Sequence, residues 1–468
     1  MQRLQVGGTA RLVRAAFAPN VLPSSLIRHA RADHTSAPPR STSTYPASFV
    51  VPELVPSVSE LVDAEAKHRH GLLRVLESVH LPPFLYAFAY GSGVFSQEAG
   101  QRGRSMKRAA TAVGSADAKA AHATPVPGEV IAADAGRADD AKHPPDDTDA
   151  GGPPSSVPPM VDMVVAVQNP VHWHAANMMR NPGHYPWWAR WGGMWMLRRV
   201  QDMGAGVWYV PYVRVGNRVI KYGVVGIDRL CHELIEWDDL YLSGRMHKPI
   251  ATLFDATDGR VALDEQANLA SALRVSFLLL PRAFSERDLY MTMASLSYLG
   301  DFRMRVPGGE NQRKVQNIVD NQAAWFRIRC SDLVIRFPSV HVHPEGDLPW
   351  LAIKQDDDAR VRARYAASLP RALCGRIAQH YLSQPQFRAA LAHAQGTPAG
   401  ADPQDMRAGA HTLDFWLVVV TQPDFKNVLR DAIAQTVDGP ARTQSLKGLY
   451  TAGILHSLQY LWAKMGKT

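Results

Sequence analysis

Between Phe95 and Trp173 the chain has no Phe, Trp or Tyr, and residues 100–159 are dominated by Ala, Gly, Pro and Asp, with DDAKHPPDDTDAGGPPSSVPP near the end. Such a stretch cannot bury enough apolar surface to offset the entropy of ordering it. The segments on either side must therefore supply the core. The composition predicts a disordered insertion over 100–159, looping out of a folded domain. An interdomain linker is the competing reading. Before the gap, apolar residues at helical spacing predict an amphipathic helix over 58–80, followed by the strand-like FLYAFAY and then Gly91-Ser92-Gly93. After it, MVDMVVAV (160–167) reads as a strand carrying one carboxylate, Asp162. Two apolar runs around Gly216-Asn217 predict a hairpin over 206–226.

Further helices are predicted over 228–242, 264–280 and 285–298, with a strand in IATLFD and a mostly helical last third. Ser285 and Asp288 give the helix over 285–298 a capping-box start. Strands and helices mix without a regular βαβ alternation, so the predicted class is α+β. No apolar run is long enough to span a bilayer. The three cysteines, Cys231, Cys330 and Cys374, are far apart, which argues against a disulfide scaffold or a cysteine-rich zinc site. Met1–Ala32 contains no Asp or Glu but has Arg3, Arg11, Arg14, Arg28 and Arg31, the composition of a mitochondrial transit peptide. Residues 1–45 are accordingly read as leader and linker.

A strand that ends in Gly-Ser-Gly and turns into a helix presents backbone N–H groups to an anion. The glycines let phosphates approach closely, and the Ser92 hydroxyl adds a donor. Taken alone, the motif reads equally as an ordinary turn. Asp162 is costly in an apolar strand unless it is paired or binds a metal, and Mg²⁺ accompanies phosphate. His172 and His174 are read as structural rather than as ligands or acid–base groups. Trp187, Trp188, Trp191 and Trp195 are read as core or interface packing, with a lipid-facing role as the alternative.

Together AYGSGVFSQ, the acidic strand, NPVHWHAANMMRNPGHY, RVIKYGVV, WDDLYLSGRMHKPI, SYLGDFRM and the C-terminal SLKGLYTAGILHSLQYLWAKM resemble, in order, the mitochondrial translocator assembly and maintenance protein family, also known as mitochondrial phosphatidate cytidylyltransferase or CDP-diacylglycerol synthase. The resemblance covers nearly all of 80–305 outside the insertion, and returns over about 440–465. It implies a nucleotidyltransferase domain (46–227), a winged-helix-like domain (228–330) and a helical C-terminal region (331–468). It also implies an enzyme using Mg²⁺, CTP and phosphatidic acid on the matrix side of the inner mitochondrial membrane, feeding cardiolipin synthesis. Gly91, Ser92 and Gly93 would hold the triphosphate, with Gln97 one turn further on. Asp162 would bind metal, and Lys221, Arg245, Lys248 and Arg303 would neutralise phosphates. Ser92, Asp162 and Lys221 would be the catalytic set.

Nucleotidyltransferases usually carry two alternating carboxylates on the acidic strand, but Met160 and Val164 flank Asp162 here. Asp301 is the candidate for the second metal ligand. Residues 445–465 place apolar side chains at helical spacing, and between Gly439 and Thr468 no acidic residue occurs while Arg442, Lys447, Lys464 and Lys467 flank the apolar face. That predicts a helix on an anionic membrane surface, with packing on its own domain as the alternative. A nucleotidyltransferase acting on RNA ends is a competing function, disfavoured because no long basic-aromatic stripe is present. No nucleic-acid partner is expected. A non-enzymatic assembly factor for mitochondrial protein import is the other alternative.

Overall fold

The structure, a computed structural model, describes residues 58–95, 160–304, 313–343, 350–395 and 412–452. All lie in one compact unit, Val55–Thr468. The leader, the insertion and Gln97 fall outside the described residues.

Strands β1 (Tyr86–Tyr90), β2 (Val161–Val167), β3 (Trp208–Val215), β4 (Arg218–Gly226) and β5 (Ile250–Asp255) form one sheet in the order β3-β4-β2-β1-β5. β1 runs antiparallel to β2, from Tyr86 opposite Ala166 to Tyr90 opposite Asp162. The segment between Phe95 and Asp162 therefore joins two adjacent strands of one sheet rather than two domains. β2 runs parallel to β4, and β3 and β4 form the expected hairpin.

Helices cover both faces. On one, Leu72 and Leu76 of α1 (Val58–Glu77) and Trp173 of α2 (Pro170–Arg180) meet Ala87, Met163, Tyr222 and Val224. Beyond α2, α3 (Trp187–Trp191) and α4 (Gly193–Asp202) add Ala189, Leu197 and Val200 to this cluster. On the other face, Leu230 and Leu234 of α5 (Ile227–Glu236) and Met246 of α6 (Ser243–Met246) meet Phe88, Val164 and Val225. Burial on both faces explains why β2 reads as a continuous apolar run rather than an alternating one.

The remaining elements are α7 (Arg260–Leu279), β6 (Ala283–Ser285), α8 (Glu286–Ser295), α9 (Lys314–Val334), β7 (Val340–His343) and β8 (Ala352–Gln355), followed by α10 (Ala359–Ala367), α11 (Arg371–Leu382), α12 (Pro385–Gln395), α13 (Leu413–Val420) and α14 (Phe425–Ala452). β6, β8 and β7 make a second sheet in that order. The Ser285–Asp288 capping box forms as expected. The chain is α+β.

Strand pairing crosses both expected domain boundaries. β5 lies beyond residue 228 yet pairs with β1, and β6 pairs with β8 beyond residue 330. Periodicity reports each strand but not its partner. The helix expected over 228–242 stops at Glu236, because Trp237 turns left-handed (φ 56°), is buried and donates its indole N–H to Asn268 Oδ1 at 2.8 Å.

The C-terminal helix expectation needs one correction. Its described part, up to residue 452, belongs to α14, and Lys447 does not flank an apolar face toward solvent. It is buried and donates to the carbonyls of Gln201 (2.9 Å) and Met203 (3.1 Å). Burial, weakly opposed by Asp202, pushes this amine from 10.5 down to about 7. At pH values between those two numbers the unfolded chain holds the proton more often than the folded chain. This residue therefore makes stability rise with pH in that window. Lys447→Met should flatten that rise, measured as denaturant midpoints at pH about 7 and about 9.5. Equal slopes in the two proteins would refute the assignment.

Candidate active site

β1 ends in a tight turn. Gly91 has φ +85°, and the Val94 and Phe95 amides both donate to its carbonyl, at 3.1 and 2.8 Å. Gly93 packs against the start of β2 so closely that a Cβ would lie 2.4 Å from the Met160 carbonyl oxygen. The Ser92 side chain is exposed. The loop therefore lies directly against the strand that carries Asp162, and a Cβ on Gly91 would sit 3.6 Å from Asp162 Oδ2.

Asp162 points to the same face as Val164 and Ala166. Its neighbour across the parallel β2–β4 pairing is Lys221, whose Nζ stands 3.1 Å from Asp162 Oδ1. Both side chains keep about a quarter of their surface open (28% for Lys221, 25% for Asp162). Burial acts to lower the Lys221 pKa, but Asp162 and nearby tyrosines outweigh it, so this lysine stays charged well above neutral pH. The ion pair lacks the alignment of a hydrogen bond, and among the described residues Asp162 Oδ1 is a buried acceptor without a hydrogen-bond donor.

Three tyrosines hold the cations in place. Lys221 Nζ sits 4.5 Å from the centroid of the Tyr209 ring. Arg245 Cζ lies 4.0 Å from Tyr241 and 5.4 Å from Tyr90, and the Tyr90 and Tyr209 hydroxyls are 3.2 Å apart. Such contacts strengthen as water is removed. Arg245 Nε, like Asp162 Oδ1, is buried without a hydrogen-bond partner among the described residues. Lys248, one turn on, donates to Gly244 O (2.6 Å) and Ser297 Oγ (2.8 Å). Burial, then Arg245 and Lys314, hold its pKa well below that of an ordinary lysine.

A buried Glu233 anchors this segment by accepting from the Ser243 hydroxyl (2.6 Å) and the Asp239 amide (3.2 Å). Burial and Asp239 raise its pKa. Sequence reasoning missed the tyrosines and Glu233. The spacing of Tyr241 four residues before Arg245 on a helical turn was the available signal.

Asp301 and Arg303 occur together but face each other. Arg303 Nε and Nη2 donate to Asp301 Oδ1 (3.0 Å) and Oδ2 (2.6 Å) respectively. Burial acts to raise the Asp301 pKa, and the Arg303 contacts hold it below the usual carboxylate value. Both oxygens thus already have a cation, and Arg303 adds positive potential at Arg245 rather than a second free phosphate ligand. Among the described residues no three His, Cys, Asp or Glu side chains cluster as a metal site. Asp162 therefore fits Mg²⁺ only in the manner of a single carboxylate sharing the ion with phosphate oxygens.

His174 is structural, as expected. Burial pushes its pKa down to about 3, so it is neutral, with Nδ1 on the Tyr185 hydroxyl (2.7 Å) and Nε2 on Gln201 Oε1 (3.0 Å). His172 is exposed in the first turn of α2. The tryptophans divide. Trp188 stacks inward on Trp208, whereas Trp187, Trp191 and Trp195 are exposed and lie outside the core.

In this α+β protein a glycine turn is pressed against a carboxylate-bearing strand, with the cations Lys221 and Arg245 beside it. The family described as "Phosphatidate cytidylyltransferase, mitochondrial" matches residues 72–467, and the chain belongs to it. Among its relatives, the "Phosphatidate cytidylyltransferase, mitochondrial" of Xenopus laevis is 33% identical over 309 residues, covering 66% of this chain and 83% of the relative. The protein of the same description from Mus musculus is 34% identical over 312 residues (66% and 83%). That of Schizosaccharomyces pombe is 32% identical over 310 residues (66% and 74%).

Proposed function

We propose that this site carries out the family reaction as follows. The chain is a phosphatidate cytidylyltransferase, taking CTP and phosphatidic acid to CDP-diacylglycerol and pyrophosphate. The observation that carries the site assignment is that, among the described residues, Asp162 Oδ1 (ion-paired with Lys221 but accepting no hydrogen bond) and Arg245 Nε are both buried without a hydrogen-bond partner. An anionic triphosphate with its counter-cation satisfies both at once.

The Gly91–Gly93 turn and Ser92 hold the triphosphate, and Lys221 and Arg245 take the charge that shifts toward the leaving pyrophosphate. Arg303 adds positive potential at Arg245, whereas Lys248, its pKa held low, is committed to Gly244 O and Ser297 Oγ and positions the turn. An ionised phosphate oxygen of the lipid attacks the α-phosphorus of CTP while the α–β bridging bond breaks, so no proton must be removed. Positioning and charge stabilisation suffice. Mg²⁺, held by Asp162 and phosphate oxygens, would supply Lewis-acid neutralisation.

The five-stranded sheet with its glycine turn is read as the nucleotidyltransferase core. The order helix, strand, helix, helix, strand, strand over α7 to β8, with the sheet ordered β6-β8-β7, supports a winged-helix-like unit at 260–355. We place the protein at the matrix face of the inner mitochondrial membrane, in cardiolipin synthesis. No described helix is long and apolar enough to cross a membrane.

The test is purified protein with CTP, Mg²⁺ and phosphatidic acid. CDP-diacylglycerol and pyrophosphate should appear in equal amounts, and chelation should reduce both to background. Ser92→Ala should slow turnover by roughly tenfold, the loss of about one hydrogen bond. No product, or full activity after chelation, would refute the mechanism.

A further inference from the structure

Trp187, Trp191 and Trp195 recur every fourth residue through α3 and α4, and they are 71%, 82% and 73% exposed. Met194 is exposed beside them, and Leu446 and Tyr450 are exposed on α14. Tyr450 reaches α3 at the inward tryptophan, its ring lying 4.3 Å from Trp188, itself stacked on Trp208. One tryptophan thus pins the helices to the core while three are held outward. Three indoles exposed on two successive short helices mark an interaction surface.

The charge around the patch indicates what covers it. Between Asp162 and Asp202 there is no Asp or Glu, while Arg180, Arg190, Arg198 and Arg199 fall there. All four side chains are exposed. Among the described residues their one acidic contact, Arg198 with Asp202 at 3.7 Å, is a surface pair of little strength. Met194, Trp195 and Arg198, with His172 across from them, also line an open cleft of about 520 Å³. Indoles favour the boundary between water and hydrocarbon, and arginines beside them favour anionic headgroups.

We infer that the outward edge of α3 and α4 (Trp187, Trp191, Trp195), extended by Leu446 and Tyr450 of α14, is a docking surface for an anionic phospholipid bilayer. The arginines meet the headgroups and the indoles enter the interface. This rests on the cytidylyltransferase reading only for its consequence, which is that docking delivers a membrane-embedded substrate to the site.

The full chain is sedimented with phosphatidylcholine vesicles, with and without phosphatidic acid. Turnover is measured on vesicle phosphatidic acid and on a short-chain, monomeric form. The triple variant Trp187→Ala/Trp191→Ala/Trp195→Ala should lose about tenfold or more in vesicle binding and in vesicle turnover, with monomeric turnover unchanged. Because these side chains are exposed, its thermal midpoint should hold. Arg190→Glu/Arg198→Glu should weaken binding to the phosphatidic acid vesicles alone.

The inference is overturned if the triple variant binds vesicles like the unaltered chain, if it loses monomeric turnover equally, or if it changes only the oligomeric state. An unaltered chain that binds vesicles but makes no CDP-diacylglycerol from either substrate would sink the enzymatic reading and leave the docking surface standing.

Discussion

Asp162→Asn is expected to lower CDP-diacylglycerol formation by on the order of 10²–10³-fold, since several kcal/mol of charge stabilisation are lost at roughly tenfold per 1.4 kcal/mol. The carboxylate has two tasks. It offers an oxygen that has no hydrogen-bond donor among the described residues, and it holds Lys221 charged in a position 3.1 Å away. Asn keeps the shape but removes the charge, so Lys221 loses the main influence that raises its pKa. Raising Mg²⁺ should not rescue the variant, because a neutral amide is a poor ligand for a hard cation. Steady-state turnover at saturating CTP, alongside the thermal midpoint, separates loss of chemistry from loss of fold. Turnover within threefold of the unaltered protein would refute the role.

Gly93→Ala should be nearly as damaging by another route. The added methyl would lie 2.4 Å from the Met160 carbonyl oxygen, 2.9 Å from its carbonyl carbon and 3.0 Å from Val161 Cα. All three are backbone atoms, so no side chain can swing away. Either the turn lifts off β2 or the start of β2 shifts, moving the loop relative to Asp162. Overpacking of this kind destabilises by about 1–3 kcal/mol. A shift near 1 Å at the site costs about 10²-fold in rate. The expected pattern is a modest fall in thermal midpoint with a far larger fall in turnover, and a raised KM for CTP. Unchanged kinetics would show that the turn does not position the triphosphate. Ser92→Ala, which meets no such clash, should be much milder.

Most of the local structure, and the family, were legible in the order of the residues. The glycine turn, the acidic strand, the hairpin at Gly216-Asn217 and the Ser285 cap depend on neighbours a few residues apart, where spacing and side-chain chemistry speak directly. Ordered motif blocks carried the family resemblance even though no single block is specific.

Which residues meet was settled by packing between distant segments. Asp162 and Lys221 are brought together by a parallel pairing that no periodicity encodes. Asp301 is taken by Arg303, Lys447 is buried among carbonyls, and β5 joins a sheet begun far upstream. Trp188 turns inward while its neighbours turn out. Each of these outcomes depends on burial and on contacts between segments distant in sequence. Such contacts are fixed when the layers pack, so the same residue types could have been arranged otherwise without any change in the local pattern.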